Sequence, residues 1–271
     1  ICFYDQTLEA IVQRESAIRR ELVRLSEGED SGALTLQFQP ILNLKTNTIS
    51  WFEALARMKT EGLGAVSPLE FIPIAEKTKL IIPIGKEIIA KALRFLHRIH
   101  ALGYETVGVA INVSAIQLLR PDFTSSLLEQ IRNSQVNPHN IDIEITESVF
   151  SSDYDYINKV ILELRQAGLK IAIDDFGTGY SSLRREKELN VNCLKIDKFF
   201  IDQLLEDSPE RTITGDIISM AHRLGHCVIA EGVEYETQRR YLEAHNCDMI
   251  QGYLISKPLD EEAAIQLLGA K

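Results

Sequence analysis

The sequence predicts an α/β fold, a TIM-like (β/α)8 barrel with one antiparallel strand, preceded by an N-terminal linker helix. Three observations carry this. The chain has 271 residues, and a (β/α)8 barrel takes about 250 as one domain. From Leu34 onward, eight short apolar, β-branched runs alternate with longer amphipathic ones, the pattern of a mostly parallel sheet. The first two runs are joined only by residues 43–48. That is too short for a crossover helix, so this pair is expected as an antiparallel hairpin.

Taken in order, residues 7–27 are rich in Glu, Arg and Leu with apolar residues at helical spacing, and read as one amphipathic helix. Gly28-Glu29-Asp30-Ser31-Gly32 breaks it. The chain opens on Ile1 without an initiator Met, which reads as a piece of a longer protein with this helix as a linker from something upstream. The expected division is 1–32 as linker and 33–271 as barrel. The strand runs are 34–42, 49–57, 106–113, 141–145, 169–174, 193–196, 227–231 and 249–253. Ser67-Pro68-Leu69-Glu70 is a capping box with Pro at the first helical position. Gly103, Gly168 and Gly225 each close a helical run just before a strand, where a left-handed residue is wanted.

Composition narrows the function. Hydrophobic residues are 45% and charged residues 25%, ordinary globular values. The net charge of −10 argues against binding long nucleic acid, which needs cationic neutralisation of phosphates. It leaves room for a small phosphate ligand held by metal ions. No apolar stretch approaches the roughly 20 residues that cross a bilayer, and the opening residues do not read as a signal peptide. A cytoplasmic location is expected, with any membrane tether left to upstream segments. Cys2, Cys193, Cys227 and Cys247 form no CxxC pair, so reduced thiols are expected. The six histidines contain no HExxH and read as helix-surface or boundary residues, so any metal is expected on oxygen ligands.

The chemistry lies at the strand ends. The runs read Val109-Ala110-Ile111-Asn112, Ile141-Asp142-Ile143-Glu144, Ile171-Ala172-Ile173-Asp174-Asp175, Cys193-Leu194-Lys195, Val228-Ile229-Ala230-Glu231 and Met249-Ile250-Gln251, and the second strand adds Glu53. In a parallel barrel these ends share the face where active sites sit. Five carboxylates (Glu53, Glu144, Asp174, Asp175, Glu231) against one ammonium (Lys195) leave the mouth at −4. Unpaired, such a cluster would protonate. Two divalent cations cancel it, and all-oxygen ligation with Asn112 selects Mg²⁺ or Mn²⁺. Two ions about 3.5–4 Å apart suit in-line attack on a phosphodiester. Adjacent Asp174 and Asp175 cannot both point along one strand direction, so the chain must bend there for one to bridge both ions and the other to hold the second.

Two lookalikes fail. Asp175-Phe176-Gly177 matches the kinase triplet, but no Gly-rich loop with a following strand Lys and no HRD accompany it. Asn112-Val113-Ser114 is a glycosylation sequon placed at a strand end.

The motifs together resemble EAL-domain cyclic di-GMP phosphodiesterases. They are Phe38-Gln39-Pro40, Glu53-Ala54-Leu55-Ala56-Arg57, the segment from Asn112 to Leu118, Glu144-Ile145-Thr146-Glu147-Ser148, the segment from Asp174 to Leu183, Lys195-Ile196-Asp197, Ala230-Glu231-Gly232-Val233-Glu234 and the segment from Gln251 to Pro258. The likeness runs from about Leu34 to the end. The opening segment and its helix more weakly resemble the tail of a GGDEF domain plus linker. Phe38 stands where the family often has Tyr.

The resemblance implies hydrolysis of cyclic di-GMP to linear 5'-pGpG with two Mg²⁺ or Mn²⁺ ions, on a barrel with one antiparallel strand. It implies Glu53, Asn112, Glu144 and Asp174 as ligands of the first ion, and Asp174, Asp175 and Glu231 of the second. Lys195 resembles the residue that contacts the nucleophilic water, as its base or its orienter. Gln39, Arg57, Glu234 and Gln251 resemble substrate contacts, with Arg57 suited to a phosphate. Glu147 resembles the anchor of the 176–183 loop, which in the family links the metal site to a homodimer interface. An upstream regulatory domain in the same chain is implied as well. The alternatives are a receptor that binds cyclic di-GMP without cutting it, and another Mg²⁺-dependent barrel enzyme of enolase-like type. All the metal ligands are present, which favours cutting, and the paired aspartates argue against the enolase-like type.

Overall fold

The structure is a computed structural model and describes residues 6–29, 32–151, 153–176, 190–205 and 211–269. Nine strands are present among them: β1 Leu34–Asn43, β2 Thr48–Thr60, β3 Gly64–Val66, β4 Gly108–Asn112, β5 Ile141–Thr146, β6 Lys170–Phe176, β7 Cys193–Ile196, β8 Cys227–Ala230 and β9 Met249–Gln251. The sheet order is β1-β9-β8-β7-β6-β5-β4-β2-β3, and β1 also pairs with β2. Eight strands therefore close a barrel. β1 runs antiparallel to both its neighbours, and β2 and β4 to β9 run parallel around the rest of the wall. The expected hairpin is thus the strand that breaks the barrel's regularity.

β3 lies outside the barrel and pairs antiparallel with the end of β2. Three residues carry no periodicity, so nothing in the sequence pattern marks it. Other strand ends differ by one to three residues, because a ladder stops where its neighbour stops supplying hydrogen bonds. β8 ends at Ala230 and β9 at Gln251, which leaves Glu231 and Gly252-Tyr253 in the mouth loops.

Ten described helices surround the wall: α1 Gln6–Ser26, α2 Pro68–Lys77, α3 Ile81–Ala101, α4 Ala115–Leu118, α5 Phe123–Ser134, α6 Tyr154–Gln166, α7 Lys198–Asp202, α8 Arg211–Leu224, α9 Glu236–Ala244 and α10 Glu261–Gly269. The capping box at Ser67 forms as the sequence implies, with both reciprocal hydrogen bonds to and from Glu70. α1 packs on the barrel rather than standing free. Its Ile18 and Leu22 are buried, Arg14 pairs with Glu70, and Lys77 reaches Glu15 at 2.9 Å. Among the described residues no helix is long and apolar enough to cross a membrane.

Strand alternation splits the core in two. Outward residues such as Ile143, Ile171, Leu194 and Val228 join the helices in one large cluster. The lumen holds a second, separate cluster of Ile41, Trp51, Ala172, Cys193, Ile229 and Met249. Each of these sits two residues from a group expected at the mouth: Gln39, Glu53, Asp174, Lys195, Glu231 and Gln251. The inward face of each strand is therefore an apolar plug below and a polar group above, which is how one short run positions one functional side chain.

Trp51 closes the lumen. A Cβ at Gly108 would lie 2.2 Å from its ring, so this position needs glycine for close approach. Gly108→Ala is expected to cost about 1–3 kcal/mol through overpacking. The thermal midpoint should fall by roughly 2–10 °C, and calorimetry checks this.

The thiol expectation is corrected at two positions. Cys193 and Cys227 are register partners on β7 and β8, their Cα atoms are 4.4 Å apart, and their sulfurs are joined as a disulfide. Partners facing the same side of adjacent strands fall within bridging reach whatever their sequence separation. Cys247 is free and buried.

Candidate active site

Lys195 is wholly buried. Its Nζ lies 2.7 Å from Glu231 Oε1, 2.9 Å from Glu144 Oε2, 3.3 Å from Asp174 Oδ1 and 3.7 Å from Glu53 Oε2. Four strands thus aim carboxylates at one ammonium. Asn112 donates to Glu53 Oε1 at 2.6 Å, and Gln251 donates to Glu53 Oε2 at 2.6 Å. Gln251 also reaches Gln39 Oε1 at 3.3 Å.

The paired aspartates resolve their direction problem through the backbone. Asp175 adopts φ 55°, in the left-handed region, and the β6–β7 register shifts between Ile173 and Phe176. The kink turns Asp175 back toward its neighbour. One ligand atom each from Asp174, Asp175 and Glu231 then lies within 4.8 Å of the others.

Two cavities share this acidic floor. One, of about 310 Å³, is lined by Gln39, Glu53, Asp174, Glu231, Glu234 and Gln251 together with Lys198 and Tyr253. The other, of about 530 Å³ and largely apolar, includes Arg57, Asn112, Glu144 and Asp175 among its lining residues.

Of the expected site residues, Gln39, Glu53, Asn112, Glu144, Asp174, Asp175, Lys195, Glu231 and Gln251 meet at this floor. Two stand apart from it. Arg57 faces the second cavity, where its Nε donates to Gln37 Oε1 at 2.7 Å. Glu234 stands on the rim of the first, 3.0 Å from Lys198 Nζ. Glu147 is buried at the start of a short 3-10 turn, Glu147–Ser151. Of the 176–183 loop only Phe176 lies within the described residues, so its anchoring is outside them. Sequence reasoning missed Lys198, although it follows the Lys195-Ile196-Asp197 motif directly, and Asp142, which shares the inward face of β5 with Glu144 two residues on.

The electrostatics show a site short of positive charge. Burial pushes Glu231 up to about 8, with Lys195 only partly offsetting it. Burial also raises Glu144 well above the carboxylate range and lifts Asp175, the latter with help from the Asp174 charge. Glu53 is the exception. Burial pushes it upward, but Lys195 and the hydrogen bonds from Gln251 and Asn112 hold it low. Lys195 behaves likewise: burial opposes its charge, and the surrounding carboxylates keep it firmly protonated. Glu144 Oε1 is buried and receives no hydrogen bond. All-oxygen donors, excess negative charge and an orphaned carboxylate oxygen fit hard divalent cations.

A pH prediction follows. Glu231 rises from about 4.5 unfolded to about 8 folded. Its protonation therefore stabilises the cation-free fold below about pH 4.5, and that stability is lost as pH rises through 8. Cations bind the deprotonated form. Mg²⁺ is expected to raise the thermal midpoint more at pH 8 than at pH 5. Equal shifts at both pH values would show that these carboxylates do not take the ion.

Residues 21–258 match the EAL domain family model. The signaling protein YkoW of Bacillus subtilis is 38% identical over 251 residues, 93% of this chain and 31% of that protein. The bifunctional diguanylate cyclase/cyclic di-GMP phosphodiesterase MucR of Pseudomonas aeruginosa is 32% identical over 261 residues, 96% of this chain and 38% of that protein. This chain thus spans about a third of the length of both relatives. The solved structure described as the PaMucR phosphodiesterase in complex with c-di-GMP superposes with a TM-score of 0.84 at 33% identity, covering 90% of this chain and 99% of that one. A match of this extent, on a closed barrel whose mouth gathers the acidic strand ends, makes this chain a member of the EAL domain family.

Proposed function

We propose that this chain hydrolyses cyclic di-GMP to linear 5'-pGpG with Mg²⁺ or Mn²⁺. The observation that carries the reading is the acidic floor, with its single buried ammonium, shared by two cavities. A cyclic dinucleotide has two nucleoside lobes joined by two phosphodiesters. One lobe in each cavity would lay a phosphodiester across the carboxylates between them.

In this reading Glu53, Asn112, Glu144 and Asp174 would hold one ion, and Asp174, Asp175 and Glu231 would hold the other. When bound, the ions neutralise charge that develops on the phosphoryl group. The chain's own groups do the rest. Asn112 and Gln251 fix both oxygens of Glu53 in place. Lys195 holds or moves a proton of the attacking water. Gln39, Gln251 and Glu234 line one lobe, and Arg57 serves a phosphate from the other. No ligand position is lost, which supports cutting over binding alone. Beyond the site, the reading includes 1–32 as a linker from an upstream regulatory domain, a homodimer with Glu147 anchoring the loop beside its interface, and a cytoplasmic location. The burial of Ile18 and Leu22 against the barrel supports a linker that transmits movement.

The test is incubation with cyclic di-GMP and Mg²⁺, with products separated by chromatography. The expected product is pGpG. A chelator should abolish the reaction, and Mg²⁺ or Mn²⁺ should restore it. Ca²⁺ should inhibit, since its longer, looser coordination misplaces the site. Full turnover in Ca²⁺ alone, or intact substrate in Mg²⁺, would defeat the proposal.

A further inference from the structure

The layer beneath the mouth is apolar at every strand but one. Trp51, Ala110, Ala172, Cys193, Ile229 and Met249 lie two residues before Glu53, Asn112, Asp174, Lys195, Glu231 and Gln251, and all are buried. On β5 the equivalent residue is Asp142, itself 4% exposed. Its Oδ1 is buried without a hydrogen-bond partner. An acidic side chain here breaks the apolar pattern of this layer and calls for a reason.

We infer that Asp142 is a positioning residue for Lys195, holding its ammonium from below while cations occupy the mouth. The inference rests on the phosphodiesterase reading. Strand alternation puts Asp142 on the same inward face as Glu144, about 6.6 Å deeper. Every carboxylate that touches the Lys195 ammonium comes from the mouth layer. Divalent cations held by those same carboxylates would take up part of the negative charge that the Lys195 ammonium faces. Those carboxylates would then be shared between the ions and the ammonium, so an acceptor on the ammonium's other side would steady its position. Asp142 supplies it from the next layer of the lumen.

The competing role for Asp142 is local. It is the register partner of Lys170 on β6, whose Nζ lies 4.4 Å from the Trp51 ring centroid. If Asp142 served only to neutralise Lys170, removing both charges together would leave nothing lost, as with other buried pairs. The two roles therefore part in a double variant.

Asp142→Asn is expected to lower kcat about 10–100-fold, the usual cost of losing such a support, with KM nearly unchanged. Asp142→Asn/Lys170→Met should recover thermal stability but keep the low kcat, and Lys170→Met alone should turn over normally. Recovery of wild-type kcat in the double variant would reduce Asp142 to a partner of Lys170. A second measurement is independent of turnover. In ¹⁵N-lysine-labelled protein, the Lys195 Nζ resonance is assigned by its loss in Lys195→Met. It should move in Asp142→Asn and stay moved in the double variant. An unmoved resonance overturns the inference even if the wild type cuts. A wild type that fails to cut overturns the phosphodiesterase reading and leaves this measurement to decide Asp142.

Discussion

Lys195→Met is expected to lower kcat about 10²–10⁴-fold and, at the same time, to tighten divalent-cation binding. The two effects have one cause. The ammonium sits 2.7 Å from Glu231 Oε1 and 2.9 Å from Glu144 Oε2, oxygens proposed here as ligands. It therefore competes with incoming cations for the same atoms. Met keeps most of the side chain's volume and removes its charge. In the cation-free protein the carboxylates then lose their one buried counter-charge, so the fold weakens and Mg²⁺ should restore it. Calorimetry with Mn²⁺ gives the affinity, single-turnover assays give the rate, and cyclic di-GMP binding should persist. A variant that turns over near the wild-type rate would remove Lys195 from the chemistry. One that binds Mn²⁺ more weakly would show that the ammonium supports the ion site rather than competing for it.

The sequence shows the site more sharply than the fold's edges, for a physical reason. A buried strand is apolar throughout, so a polar residue at its end stands out, and Glu144, Asp174, Lys195 and Gln251 could be read from one short run each. Closure of the barrel put them together without further information. Where a strand stops is set by its neighbour, which explains why 106–113 and 249–253 shortened to Gly108–Asn112 and Met249–Gln251. The disulfide between Cys193 and Cys227 is of the same kind. It depends on the β7–β8 register, which no local pattern in either strand states. Asp142 was open to reading from the alternation in Ile141-Asp142-Ile143-Glu144 but was masked by its position inside a strand rather than at its end. Lys198 was masked by the motif that ends just before it. Its stem packs on Gly232, where a Cβ would lie 2.4 Å from Lys198 Cγ, a contact between the start of α7 and the loop after β8 that only the fold brings together.

Asp174→Asn is expected to remove activity by roughly 10³-fold or more, and to weaken cation binding where Lys195→Met strengthens it. Asp174 is the one proposed ligand that both ions share. Its Oδ1 lies 3.3 Å from Lys195 Nζ, and its carboxylate stands within 4.8 Å of Asp175 and Glu231 ligand atoms. An amide has the same shape but no charge, and one of its two heads donates rather than accepts. Bridging two cations with it is therefore unfavourable. The cation-free protein should respond in the opposite direction. Asp174 raises the proton affinity of Asp175 and Glu231 by repulsion, so neutralising it relieves a cluster that has too few positive charges. Asp174→Asn should thus melt higher than wild type without Mg²⁺ and gain less from adding it. Loss of turnover with a wild-type Mn²⁺ isotherm would mean that Asp174 acts on the substrate and not through the ions. Loss of both, with the higher cation-free midpoint, would assign it the bridge between the two proposed sites.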